Sequence, residues 1–304
     1  MKVALCFIIN YNHILNKETI WREWIEPNKD IINVYFFYKD ISKISSSWIL
    51  SHVIDKSFIK ETSYFHVIPA YLSVISYALK HDKTNQWFCL LTESCCPIIS
   101  PLKFRSIFYA NYQYSIINCY PAHWDTQKQR RANLSLLPSN LKLANDPYFI
   151  LNRMDVNRCI KFATLNQTLF QLICKGGLAN ESLFAIILYI NKQIPNIKSF
   201  VTHLTDWSRM TSATSPHLFK EGNTVDLLFI KNGIKKNKYA IFLRKISPEF
   251  PDDILNEFIY NSNNLKTIFM KPNTNYLLLF IKFILSILFL YFLMIGIYFL
   301  YIII

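Results

Sequence analysis

The groups able to do chemistry are isolated acids at the ends of apolar runs and cations in short clusters. Glu93 sits in Thr92-Glu93-Ser94-Cys95-Cys96-Pro97, just after the apolar run Trp87 to Leu91. Glu181 precedes another apolar run, Leu183 to Ile190. Cations group at Lys128, Arg130 and Arg131, and again at Arg244 and Lys245, with Arg209 between. A lone carboxylate can take a proton, and fixed cations can neutralise an anion. The Asp-x-Asp pair with which many transferases hold a divalent metal does not occur in the sequence.

Position alone argues for blander roles. An acid at a helix start is favoured by the helix dipole whether or not it reacts. A charge run is usually a solvated face, and an Asp after a strand, such as Asp40, is usually a turn residue. The elements that position these groups must decide. Trp87 to Leu91 is short enough for a buried strand, and its Pro-closed polar turn suits the carboxyl edge of an open α/β sheet, where ligands bind. Met1 to Tyr11 reads as a first buried strand, since its apolar core is too short for a signal peptide. A helix over residues 19–25 leads to a strand over 31–38. A helical period over 64–79 feeds the strand at Trp87 by a right-handed crossover, which predicts a largely parallel sheet. Residues 102–110, 154–162 and 183–190 read as helices, 114–119 as a strand, and the Lys-rich stretch 231–238 as a solvated loop or hairpin.

Phe88-Cys89-Leu90-Leu91-Thr92-Glu93-Ser94-Cys95-Cys96-Pro97-Ile98 resembles the F-x-L-L-S-E-S-C-x-P-L turn of the core-2/I-branching β-1,6-N-acetylglucosaminyltransferases and their plant and viral relatives. Further segments resemble that family in order. Tyr148 to Arg153 is similar to W-x-x-L-x-R with Tyr148 for Trp, and Asn180-Glu181 to P-D-E with Asn for Asp. Thr205-Asp206-Trp207-Ser208 is similar to the V-D-W-S strand end, Pro216-His217 to H-P inverted, and Leu243-Arg244-Lys245 to A-R-K. The resemblance covers roughly residues 1–250.

It implies an α/β, GT-A-like domain over residues 1–262 with a mainly parallel sheet, a linker over 263–275, and inverting transfer of a sugar from a nucleotide donor to a glycan hydroxyl. Glu181 would be the base. Lys245, with Arg209 or Arg244, would bind the diphosphate in place of a metal, so no cofactor is expected beyond the UDP-sugar donor. Asp40 would lie near the nucleotide base, and Glu93, Lys128, Arg130, Arg131 and Trp207 near the acceptor. Asn180 would cap the following helix as Asp does. The same substitutions suit a catalytically inactive, membrane-anchored binding protein.

Residues 276–304 are apolar apart from Lys282, Ser286 and Gly296. From Phe283 a helix to Ile304 is about 33 Å long, enough to span a bilayer. This predicts a single-pass C-terminal anchor with the catalytic domain on the cytosolic side, where Lys266, Lys271 and Lys282 belong. The family's animal enzymes instead carry an amino-terminal anchor and work in the Golgi. The formal charge of +13 is scattered along the chain, which argues against a nucleic-acid partner. Seven cysteines without metal spacing read as reduced.

Overall fold

The structure is a computed structural model that describes residues 1–9, 11–124, 127, 130–212 and 215–260. The chain divides into compact units over 1–260 and 261–304. The second unit, which holds the expected linker and anchor, lies outside the described residues, as does Lys128. Among the described residues no helix is long and apolar enough to cross a membrane.

The fold is mixed α/β. Strand β1 (Lys2–Ile8), helix α1 (Glu18–Ile25) and strand β2 (Ile32–Phe37) open the chain, followed by the single turn α2 (Ser47–Leu50). Helix α3 (Ile68–His81) then leads to β3 (Asn85–Thr92). The central sheet has the order β2-β1-β3-β7, where β7 is Ile150–Asn152; β1, β2 and β3 are parallel and β7 runs antiparallel at the edge. These parallel strands are apolar nearly throughout, as a sheet covered on both faces requires. Their carboxyl ends, Ile8, Phe37 and Thr92, come level in the register.

Past β3 the chain turns through Glu93 into β4 (Cys95–Pro97) and α4 (Pro101–Asn111). Strands β5 (Cys119–Pro121) and β6 (Leu143–Asn145) form a two-stranded antiparallel sheet before β7. Helices α5 (Arg153–Leu165), α6 (Gln167–Lys175) and α7 (Leu183–Ile190) follow. Strand β8 (His203–Thr205), helix α8 (Thr224–Lys236), strand β9 (Phe242–Arg244) and helix α9 (Asp252–Tyr260) end the described chain. A second sheet of order β4-β9-β8 sets Cys95 opposite Arg244.

Helix α1 ties the two sheets together. Its Trp21 and Trp24 are fully buried, and their indoles donate to Cys95 O (3.0 Å) and Ile99 O (2.7 Å). Buried Trp side chains carry about 3–5 kcal/mol each, so β4 is firmly placed. All seven cysteines are free.

Three expectations need correction. Helix α3 begins at Ile68, with Pro69 in its first turn, so Tyr64 to Val67 precede it. The strand expected over 114–119 is confined to Cys119–Pro121, Ile116 making only isolated bridges to Ile150 and Lys198. Residues 231–236 of the Lys-rich stretch are the end of helix α8, whose Leu227 and Ile230 are buried while Lys235 and Lys236 are exposed.

Candidate active site

Glu93 reaches the carboxyl edge of the sheet because β3 ends there. The backbone N–H of Ile246 donates to Ser94 O at 2.9 Å, closing the Glu93 turn against the end of β9. The Cys95 to Arg244 register therefore brings Glu93 alongside Arg244 and Lys245, about 150 residues later in the chain. Burial raises the Glu93 carboxyl above its ordinary pKa, opposed by the charges of Arg244 and Lys245.

The guanidinium of Arg244 lies over the Tyr148 ring, 4.3 Å from its centroid. Tyr148 stands just before β7, at the same sheet edge, since the N–H of Leu90 donates to Phe149 O. The Tyr in place of the family's Trp thus supplies an aromatic face for a cation. Tyr71 of α3 donates its phenol to Pro147 O at 2.9 Å, holding this segment. Burial raises the phenols of both Tyr71 and Tyr148, and Arg244 works against it. Arginine stays charged in proteins. Arg244 Nε is buried with no hydrogen-bond partner, and no ion pair engages Arg244 among the described residues.

Arg244 lines a cavity of about 180 Å³ with Asp146, Tyr148, His203, Trp207 and others. Trp207 is 49% exposed and forms an accessible wall. Burial, with Arg244 nearby, pushes His203 down to about 3, so the ring is neutral. Lys245 donates to Ser215 Oγ at 3.2 Å, and burial together with Arg244 lowers its pKa while Glu93 opposes.

On the other flank, Glu181 ends a short 3-10 turn, Ala179–Glu181, ahead of α7. Its Oε2 accepts from Arg131 Nη1 at 2.8 Å, and Arg131 lies over Trp124, 5.0 Å from the ring centroid. Burial raises the Glu181 pKa, while Arg131, His123 and Arg244 lower it. Arg244 is therefore within electrostatic range of Glu181 on one side and of Glu93 and Lys245 on the other. Gly176 lets the two flanking loops meet, because a Cβ there would collide with the backbone of Ala132 and Asn133.

Asn180 does not cap α7. No side chain of its own segment does; buried Asn145 acts instead, its Oδ1 accepting from Ala185 N (3.1 Å) and its Nδ2 donating to Asn180 O (2.9 Å). A satisfied pair of bonds from β6 thus fixes both sides of Glu181.

Other expected site residues lie differently. Arg209 is engaged by two buried carboxylates, Asp206 (2.7 Å) and Asp226 (2.8 Å), so its charge is already balanced. The inverted Pro216-His217 places His217 in the same cluster, 3.0 Å from Asp226. Asp40 is half-buried and caps the turn Ile41–Lys43 by accepting from Ser42 N; its own N–H donates to His13 Nε2 at 3.0 Å. Arg130 is exposed beside the Arg131 to Glu181 pair. Arg153 sits at the opposite sheet edge, donating to Asn85 O (3.0 Å) and Leu79 O (3.1 Å).

Sequence reasoning missed Asp146, Tyr120 and the roles of Tyr71 and Asn145. Asp146 accepts from Tyr120 OH at 3.2 Å, and burial raises its pKa against that bond and one from Asn118. Its only local signal is a polar residue between two short strands.

Residues 32–232, about two thirds of the chain, match the family model described as Core-2/I-Branching enzyme. The chain belongs to the Core-2/I-branching enzyme family. It is thereby a member of a glycosyltransferase family; the Glu93 turn and Asn180-Glu181 lie within the matched residues, and Arg244-Lys245 just beyond them. A comparison with curated proteins gives no match.

Proposed function

We propose that this Core-2/I-branching family member transfers N-acetylglucosamine from UDP-GlcNAc to a hydroxyl of a glycan acceptor, with inversion and without a metal ion. The observation that carries the reading is Arg244. A cation with a buried, unpartnered Nε costs stability unless an anion arrives to pair with it. A nucleotide diphosphate in the adjoining cavity supplies that anion, and Lys245 next to it adds a second charge.

Transfer then needs a base on the acceptor side. Glu181 is the group we assign, burial raising its carboxyl pKa and so making it a better proton acceptor than an ordinary glutamate. Its Oε1 is not engaged among the described residues, while Arg131 steadies Oε2. The acceptor hydroxyl loses its proton to Glu181 as its oxygen bonds to the anomeric carbon, and the UDP leaves with the electron pair of the broken bond. Arg244 and Lys245 oppose the charge that builds on that leaving group. Glu93, Trp207, Arg130 and Arg131 are assigned to the acceptor, Asp40 to the nucleotide end. Among the described residues no group of three His, Cys, Asp or Glu side chains is arranged to hold a metal.

The inactive-binder reading draws on one observation: the carboxylate of Glu181 is already occupied on one oxygen by Arg131. A thermal-shift screen of nucleotide sugars on the full chain, with and without chelator, tests the donor half of the proposal. Stabilisation by UDP-GlcNAc that survives chelation is expected; stabilisation only by another sugar nucleotide, or only with added metal, contradicts it. Release of UDP in the presence of acceptor separates the enzyme from the binder. We assign residues 276–304 to a membrane anchor on the strength of their apolar sequence.

A further inference from the structure

At the edge of the sheet opposite Glu93 and Arg244, helices α3 and α5 enclose an open groove of about 690 Å³. Ser76 and Lys80 fall on one face of α3, with Lys83 just beyond its end, and Arg153, Asn157 and Lys161 on one face of α5. No acid is among the residues that line it. The strand β3 separates the two edges by about 25 Å at ~3.3 Å per residue.

These cations do not all have a structural reason to be there. Lys80 is in the last turn of α3, where the helix dipole favours a positive charge. Arg153 is a staple between Asn85 O and Leu79 O. Lys161 precedes the last turn of α5, which carries no basic residue, so the dipole does not account for it. Lys80, Lys83 and Lys161 form no ion pair among the described residues, and Lys80 makes only a contact over the Phe58 ring. Asp82, next to Lys83 in the chain, is taken by Lys2 at 3.3 Å. The groove therefore gathers like charges that no carboxylate among the described residues pairs with.

We propose that this groove binds a multiply phosphorylated anion at a site separate from the one that takes the donor. One phosphate cannot fill a groove of about 690 Å³ lined by cations from two helices. Several phosphates on one framework can, each carrying about −1.5 to −2 at neutral pH. Lys stems adapt to irregular phosphate spacing, and the fixed Arg153 guanidinium sets one wall. Such a group could be free in solution or the headgroup of a phosphorylated lipid; the chemistry is shared.

The test uses the full chain in detergent, saturated with UDP, titrated with inositol hexakisphosphate at physiological salt. Binding is expected, indifferent to UDP, weakened at least tenfold in the double variant Lys80→Glu with Lys161→Glu, and kept in Lys80→Arg with Lys161→Arg. Both lysines are exposed, so a melting temperature close to the parent's should accompany either double variant. Vesicles of phosphatidylcholine with and without phosphatidylinositol bisphosphate identify the source. A gain on adding the phosphorylated lipid, lost in the glutamate variant, assigns a headgroup, and soluble binding without that gain assigns a free polyphosphate. No binding of either probe, displacement by UDP, an unaffected glutamate variant, or equal displacement by duplex DNA or a polycarboxylate would overturn the proposal. No readout depends on sugar transfer, so its failure is distinct from failure of the assigned reaction.

Discussion

Arg131 Nη1 lies 2.8 Å from Glu181 Oε2, and the same guanidinium rests 5.0 Å from the centroid of Trp124. The proposed base is thus held by a cation that is itself positioned by an aromatic ring. Both partners are partly exposed, so the pair adds little stability. Its effect is on protonation.

Burial raises the Glu181 pKa, and Arg131 is the largest influence opposing it. The base must be ionised to act, so activity should fall on the acid side with a midpoint above the ordinary glutamate value of 4.5. In Arg131→Met the opposing charge is gone, the carboxyl pKa rises further, and the acid limb of kcat should move to higher pH. A pH profile of both proteins checks this; a limb that moves down or stays fixed would dissociate Arg131 from the base.

Lys245 titrates in the other direction. Burial and Arg244 lower its pKa below 10.5, so the free enzyme should lose this ammonium, and with it donor affinity, at less alkaline pH than an ordinary lysine. Donor KM should climb on that limb while kcat/KM falls. Lys245→Arg keeps its charge throughout, and its KM should stay flat over the same range.

Asn145 holds Glu181 without touching substrate. Asn145→Ala leaves the buried Asn180 O and Ala185 N without their partners, at a cost of about 2–4 kcal/mol. Urea unfolding should show that loss. Activity at temperatures where the variant remains folded should also drop, with the Glu181 pH limb shifted; a destabilised variant with a normal limb would mean the turn keeps its place without Asn145.

The elements were largely legible where burial is one-sided in kind. Leu183 to Ile190 is apolar at nearly every position, and Leu183 to Leu188 is wholly buried as α7. Trp87 to Leu91 is likewise a strand buried on both faces. Residues 231–238 misled because Gly233 and four lysines look like a turn. In α8 that glycine packs against the Leu204 side chain, which a Cβ would strike, and Lys235 and Lys236 face out.

The site was legible only in part. Glu93, Arg244 and Lys245 stand out in the sequence, yet their meeting depends on the β4 to β9 register, which no local pattern encodes. Tyr71 reads as one more apolar position on a helix, and only the fold shows its phenol at Pro147. Arg209 has a suitable spacing from Pro216, but Asp206 and Asp226 already compensate it. Asn180 and Tyr148, departures from the family motifs, are accommodated by Asn145 from outside the turn and by the Arg244 guanidinium.

The most direct test is the rate of UDP release from UDP-GlcNAc with a glycan acceptor and excess EDTA, for the parent chain, Glu181→Gln and Arg244→Met. The parent should keep its full rate. Glu181→Gln should lose about 10²- to 10⁴-fold in kcat with donor binding intact, and Arg244→Met should lose donor affinity as well as rate. A parent rate that vanishes in EDTA and returns with a divalent ion, or a Glu181→Gln rate equal to the parent's, would contradict the account.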